Sequence, residues 1–432
     1  MKMLSRLALA AALASGAVFV AGPPALAKDK EAAKAPGLKL SPAVIKVAKP
    51  AQDAIAANDP TTAEPLVAQI EAASQTDDDR YIGAVLRYNV EILKVNAAQQ
   101  ANPNAPASDA TLAKPLDTLI ANPSTPAADR GKYYFRRAAL AYNGKQYPVA
   151  IDYFTKAREL GYTDPNLSLY LVKARIENGD VAGGSADLDK AIGEKTAQGQ
   201  KAPDEWYRYA IAQSNHQHMG PQTLEWLNKY VAAYPSPKTW YEVLAVYGFQ
   251  QDSVAKLDNQ QKIDLFRLMR ASGGLADQYF YLEYAQKAQL AGLPAEAQAV
   301  LKEGLANGKI PAANTEAKAM LVETANGIRN EGSLPALETR ARAASTGASA
   351  SQTAEVYLGT GNYAKAIELY RLALTKGGVD ADVVNTRLGI ALARSGDKAG
   401  ATAAFAAVKA APRADIARFW TTWTNQAAGT PA

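Results

Sequence analysis

Residues able to do chemistry are scarce in this 432-residue chain. It contains no cysteine, which removes disulfides, thiol nucleophiles and cysteine-ligated metals. Its two histidines, His216 and His218, both fall in the stretch SNHQHMG. A spacing of i, i+2 puts them on different faces of a helix, and no acidic cluster stands beside them to complete a zinc tetrahedron. In an extended turn the pair would chelate one ion; the simpler reading is an exposed loop between two helices. GTGNYAK, from Gly359 to Lys365, has glycines like those of a phosphate loop. It follows a helical pattern rather than a strand, and it lacks the G-x-x-x-x-G-K spacing. Neither a G-x-S-x-G elbow nor an H-E-x-x-H pair occurs. Glu159, Glu283 and Glu368 fit solvated helix faces. The expectation is no cofactor, no metal and no catalytic centre, although a carboxylate site assembled only by folding leaves no mark in sequence.

The elements that carry these residues are helical throughout. A single core rarely exceeds about 250–300 residues, so the length calls for several domains or an elongated array. The hydrophobic share of 48% and charged share of 21% are those of an ordinary folded chain. Lys2 and Arg6, the apolar run from Leu7 to Gly22, and Ala25-Leu26-Ala27 make a secretory leader over residues 1–27, with cleavage expected before Lys28. The alternative is an uncleaved anchor, but the run is shorter than the ~20 residues a spanning helix needs. Loss of the leader takes the formal charge from +5 to +3, which asks for neither nucleic acid nor an anionic membrane. The expected location is the periplasm, with secretion as the alternative.

Residues 28–38 read as a disordered linker rich in Lys, Ala and Pro. Residues 39–124 read as a divergent helical region, interrupted by a loop at Asn102–Ser108. Asp77, Asp78 and Asp79 mark a helix start there. From 125 to 411 a repeat emerges. Five, nine and twelve residues after Gly361 stand Ala366, Tyr370 and Ala373; after Gly396 stand Ala401, Phe405 and Val408. Gly292 yields Ala297, Leu301 and Gly304, and Gly179 yields Gly184, Leu188 and Ala191. Gly332 yields Leu337, Ala341 and Ala344, with large and small exchanged. Around Gly144 the pattern needs one inserted residue to reach Ala150, Phe154 and Ala157. Each glycine separates two helical stretches and suits the left-handed residue that ends the first. Small residues let paired helices approach, and the large one fills the space beside them. Residues 412–427 form an amphipathic helix, with Ile416, Phe419, Trp420 and Trp423 on one face, expected to cover the open end of the stack. No alternating strand pattern occurs.

The period of about 34 residues and the small–x3–aromatic–x2–small motif, as in AIDYFTKA, AIELYRLA and ATAAFAAV, resemble the tetratricopeptide repeat family. Sel1-type helical repeats are the neighbouring alternative. The resemblance implies an all-α fold: a right-handed α-α superhelix, or solenoid, of helical hairpins whose first helices line a concave face that takes a peptide or helix from a partner. On matched positions of those first helices, the groove residues are Phe135, Tyr142, Asn143, Leu169, Lys173, Tyr207, Asn215, Tyr241, Phe249 and Tyr279. The competing reading of these aromatics is plain inter-repeat core.

Two functions are thus in view. One is a non-enzymatic scaffold of the cell envelope that binds a protein or peptide. The other is a cell-wall enzyme or accessory of the lytic transglycosylase type, with a helical superhelix. Only about 20 residues follow Ala411, and the N-terminal region is short and alanine-rich, so neither end offers a compact catalytic domain. No nucleic acid and no membrane segment after leader cleavage are expected.

Overall fold

The computed structural model describes residues 38–101 and 110–426, all of which are helix, turn or loop without a strand. The expected leader, nearly all of the linker, the Asn102–Ser108 loop and residue 427 lie outside the described residues. The chain divides into two compact units between Thr125 and Pro126.

The first unit holds α1 (Pro42–Ala56), α2 (Pro60–Ala73), α3 (Asp77–Ala101) and α4 (Ala110–Ala121). The α1–α2 and α3–α4 pairs pack as hairpins, with α2 against α3. The start of α3 is a reciprocal cap. The Asp79 backbone N–H donates to Thr76 Oγ1 at 3.1 Å, and the Thr76 N–H donates back to the Asp79 carboxylate at 3.2 Å. Asp79 also accepts from the Ser41 N–H at 2.8 Å, tying the segment before α1 to α3. Burial raises this carboxyl, and the backbone donors of Ser41, Gln75 and Thr76 outweigh it, leaving it below the usual range.

The second unit starts with the hairpins α5 (Ala127–Asn143)/α6 (Tyr147–Glu159), α7 (Leu167–Glu177)/α8 (Val181–Ala197) and α9 (Asp204–His216)/α10 (Gly220–Ala233). Next come α11 (Pro237–Leu244), which runs on as a π-helical turn (Ala245–Phe249), and α12 (Asn259–Ala271). The rest are α13 (Gln278–Leu290), α14 (Pro294–Ala306), α15 (Thr315–Glu331), α16 (Leu334–Ala343), α17 (Ala348–Gly359), α18 (Tyr363–Lys376), α19 (Ala381–Arg394), α20 (Lys398–Ala406) and α21 (Arg413–Gln426). The architecture is an all-α solenoid of tetratricopeptide-like hairpins.

One turn geometry recurs. At Gly361, φ is +82°; its N–H donates to the Leu358 carbonyl, and the Asn362 N–H to the Tyr357 carbonyl. The same pair of bonds surrounds Gly179, Gly292 and Gly396. It also surrounds three residues that are not glycine: Asn58 (φ +56°), Lys145 (+57°) and His218 (+55°). This corrects the reading of the Gly144 block. Gly144 has φ −78°, Lys145 is the left-handed residue, and Ala150, Phe154 and Ala157 follow it at five, nine and twelve with no insertion. From Asn58 the same offsets reach Ala63, Val67 and Ile70, all fully buried. The α1–α2 hairpin therefore obeys the repeat grammar inside the region expected to be divergent. From His218 they reach Thr223, Leu227 and Tyr230, also buried.

The Gly332 unit departs from the pattern. Only Ala341 of α16 is buried. Here α15 lies on α13 and α14 while α16 lies on α17, and α14 meets α17 directly. Gly359 permits that approach, since a Cβ there would stand 2.7 Å from that of Glu296.

The C-terminal helix also differs from expectation. It packs on α19 and α20, as an end cap would, but additionally on α10 and α12. There its buried Ile416, Phe419 and Trp420 are joined by a buried charge cluster. The Asp264 carboxylate of α12 accepts from Arg267 at 2.8 Å, Arg387 of α19 at 3.3 Å and Arg413 of α21 at 2.7 Å. Arg267 grips Glu296 of α14 with two bonds, at 2.8 and 2.6 Å, and Arg387 reaches Glu355 of α17 at 2.7 Å. Three carboxylates thus match three guanidiniums, and the Arg267–Glu296 pair has the bidentate geometry that makes such pairs strong.

Candidate binding groove

First helices wall the groove, and one second helix lies beneath it. Ile211, Ala212 and Asn215 of α9 form one wall. Tyr241, Glu242, Ala245, Val246 and Phe249, on α11 and its π turn, form the other. Leu227 and Tyr230 of α10 and Phe280 of α13 close the floor and end of a cavity of about 590 Å³. Regular local rules shape these walls. Ser236 caps α11 by accepting the Thr239 N–H at 3.0 Å, and Pro237 occupies the first helical turn where its missing N–H costs nothing. The π turn is held at its end by the Gln250 N–H on the Ala245 carbonyl at 3.0 Å, then by Val254 on Val246 and Ala255 on Tyr247. Such turns concentrate at functional sites.

One end of the groove is charged. Arg208 bonds Asp204 at 3.1 Å and Glu242 at 3.3 Å, and its guanidinium lies 5.5 Å from the Tyr230 ring. The other end is polar, with Asn215, His216, Gln250 and Asp252. The middle is apolar: Tyr241 meets Phe280 edge-on at 5.5 Å, and Phe249 packs on Phe266 at 4.3 Å and on Phe280 at 5.2 Å. An apolar slot with polar groups at its ends is the usual form of a recognition site.

A second cluster lies on the first helices α5, α7 and α9. The Lys173 ammonium stands over the rings of Tyr170 and Tyr209, at 5.9 and 5.4 Å. Burial lowers the Lys173 pKa against an opposing pull from Glu205. Burial also pushes the Tyr142 hydroxyl up to about 12, and the Tyr209 hydroxyl further, with Glu177 contributing to both. The rings of Tyr170 and Tyr209 thus face the cation, and Tyr142 meets the Tyr170 ring edge-on at 6.2 Å.

The ten residues singled out from the sequence are dispersed. Asn215, Tyr241 and Phe249 come together in the groove. Tyr142 and Lys173 belong to the cationic–aromatic cluster, and Asn143 is exposed at the end of α5. Phe135 packs between Phe154, Tyr162 and Tyr170. Leu169 and Tyr207 are core, only 7% and 5% exposed, and Tyr207 stacks on Tyr230 at 5.9 Å. Tyr279, 69% exposed, does not line the groove, although its ring meets that of Phe280 at 5.4 Å. Arg208, Ile211, Glu242 and Val246 were not singled out. The Asp204–Arg208 spacing of i, i+4 is a sequence signal for the first; nothing local marks the rest. His216 ends α9 and His218 is the left-handed turn residue, so neither faces the other as a chelate. Among the described residues no three acidic or histidine side chains gather as a metal-binding set. No described helix is long and apolar enough to cross a membrane.

No family model matches this chain, and no curated protein matches it. Among solved structures, the pentatricopeptide repeat protein PPR10 from maize is similar over 89% of this chain, at 13% identity and a TM-score of 0.29, and this chain covers 62% of that one. A Rap protein complexed with Competence and Sporulation Factor is similar over 90% of this chain and 97% of its own, at 14% identity and 0.26. The P58(IPK) TPR domain is similar over 90% and 99%, at 12% identity and 0.22. The solenoid assignment stands on the helix pairing and turn geometry of this chain itself.

Proposed function

We propose that the protein is an interaction scaffold of the cell envelope, exported by its leader, which holds a polypeptide segment of a partner in the groove between α9 and α11. The observation that carries this is the apolar groove on the first-helix face, lined by Tyr241, Val246 and Phe249 and ended by Asn215 and Gln250. Half-buried tyrosines give contact area at small rotameric cost, together with a polar end. The backbone amides of an extended peptide find partners in the two side-chain amides. The leader supports export, and the reading assigns no catalytic role.

Three measurements test it. Display selection of random peptides on the intact protein should return binders whose affinity falls at least tenfold in a Tyr241→Ala, Asn215→Ala variant of unchanged Tm. Binders indifferent to that change would overturn the groove assignment. Fractionation should place the mature chain, starting at Lys28, in the periplasm; recovery from the cytoplasm removes the envelope reading. A peptidoglycan-release assay is expected to give no turnover.

A further inference from the structure

The groove between α9 and α11 has a direction, because its two walls run the same way. Arg208 meets Glu242 at 3.3 Å near one end, and the Asn215 amide donates to the Asp252 carbonyl at 3.5 Å near the other. From Arg208 to Asn215 is about 10 Å at the rise of an α-helix. Both walls stop together: α9 ends at His216, and the π turn that extends α11 ends at Phe249. The negative poles of two helices therefore converge at one end of the groove.

The two ends differ in charge balance. At the first, Arg208 is matched by Asp204 and Glu242, and Glu242 also lies 4.0 Å from Lys238, so cations and carboxylates cancel. At the second, Asp252 is exposed, and among the described residues no Lys or Arg pairs with it. Lys256, on the same loop, gives its ammonium to the Gln251 carbonyl at 2.7 Å instead. Asn215, His216 and Gln250, which share that end, bring no formal charge. An unpaired carboxylate thus adds to two helix poles of the same sign, on a chain whose formal charge is +5. Both features favour a cation there and disfavour an anion.

Resting on the reading of the groove as a peptide site, we propose that its occupant is a segment of a partner protein in which two large apolar residues are flanked by a lysine or arginine, with that cation at Asp252. The apolar side chains lie in the middle, against Tyr241, Val246, Phe249 and Phe280. An extended chain advances about 3.3 Å per residue, so the length of the groove corresponds to about three residues. The apolar pair and the basic residue are therefore close neighbours in the partner's sequence. Asp252 sets specificity more than affinity. Exposed ion pairs contribute little, whereas charge fixes register and refuses the wrong partner.

The test runs the display selection in parallel on the intact native protein and on an Asp252→Lys variant of unchanged Tm. Only binders lost on Tyr241→Ala with Asn215→Ala are counted. Those from the native protein should be enriched at least threefold over the library in Lys or Arg beside the apolar pair. Those from Asp252→Lys should be enriched to the same degree in Asp or Glu. In a resynthesised native binder, acetylated at its N-terminus, replacing the basic residue by glutamine should weaken binding about threefold. Against Asp252→Asn that difference should vanish. Groove-dependent binders without basic enrichment, or of one composition from both proteins, would overturn this proposal and leave the groove reading standing. Binding that acetylation abolishes would put a terminal amine at Asp252 and overturn it too. A selection that yields no groove-dependent binder removes the groove reading itself, and this proposal with it.

Discussion

At the residue scale, the repeat is pinned by a single left-handed residue per hairpin. Glycine occupies it without steric cost, whereas an L-residue there costs roughly 1–2 kcal/mol. Lys145 and His218 carry that strain. Lys145→Gly and His218→Gly are each expected to raise stability by about 0.5–1 kcal/mol, after the entropy glycine adds to the unfolded chain. Gly361→Ala should lower it by about 1 kcal/mol. Urea denaturation at constant slope measures all three; a destabilised Lys145→Gly would mean that the Lys145 side chain does more than fill a turn. These positions also show the limit of reading by glycine. The turn requires a conformation, not a residue type, so Asn58 and His218 were invisible as anchors while Gly361 was plain.

At the element scale, the interlock of small and large side chains is tight. A Cβ at Gly389 of α19 would stand 2.4 Å from the Phe405 ring of α20. Gly389→Ala should cost about 1–3 kcal/mol by overpacking, and Phe405→Leu in the same chain should restore part of it. Thermal melts of the single and double variants form the cycle, and simple additivity would deny the contact. The α15–α16 pair is the counterexample. Its large and small positions are exchanged, and Leu337 is only half-buried, so Leu337→Ala should cost less than the roughly 2–5 kcal/mol expected for the fully buried Leu301→Ala. The weak motif at Gly332 was visible in sequence. That α14 would then meet α17 was not, because it depends on which helix fills the vacated side.

At the scale of the whole molecule, closure of the second unit rests on charges that are buried and matched. Burial raises the Asp264 carboxyl, and Arg387, Arg267 and Arg413 more than offset it, so its pKa lies below the ordinary aspartate value of 3.8. Stability from this group is thus present above about pH 4 and is lost as the pH falls through the lowered value. Asp264→Asn should cost about 3–5 kcal/mol at pH 7, because it leaves guanidiniums buried without a counter-charge, and the difference from native should shrink in acid. Asp415 behaves oppositely. Burial raises its pKa despite Tyr247 and Arg418, so its contribution is greatest below about pH 4 and is lost as the pH rises through the raised value. Asp415→Asn should therefore raise Tm at pH 7, with the gain fading toward pH 4. Melting curves across pH 3–8 read both signs at once.

By itself the sequence determined what nearest neighbours along the chain decide. Helix starts, turn offsets and the alternation of small and large side chains act within about 35 residues, where periodicity records them. It also carried three members of the groove, because matched positions on successive first helices point the same way. Tertiary structure alone decided the rest. Curvature accumulates from small rotations at every interface, and no single motif encodes their sum. Only that sum brings Arg413 onto Asp264, 149 residues away. The same accumulation moves Leu169 and Tyr207 from an expected surface into core, and it brings the C-terminal helix onto α10 and α12 as well as onto α19 and α20.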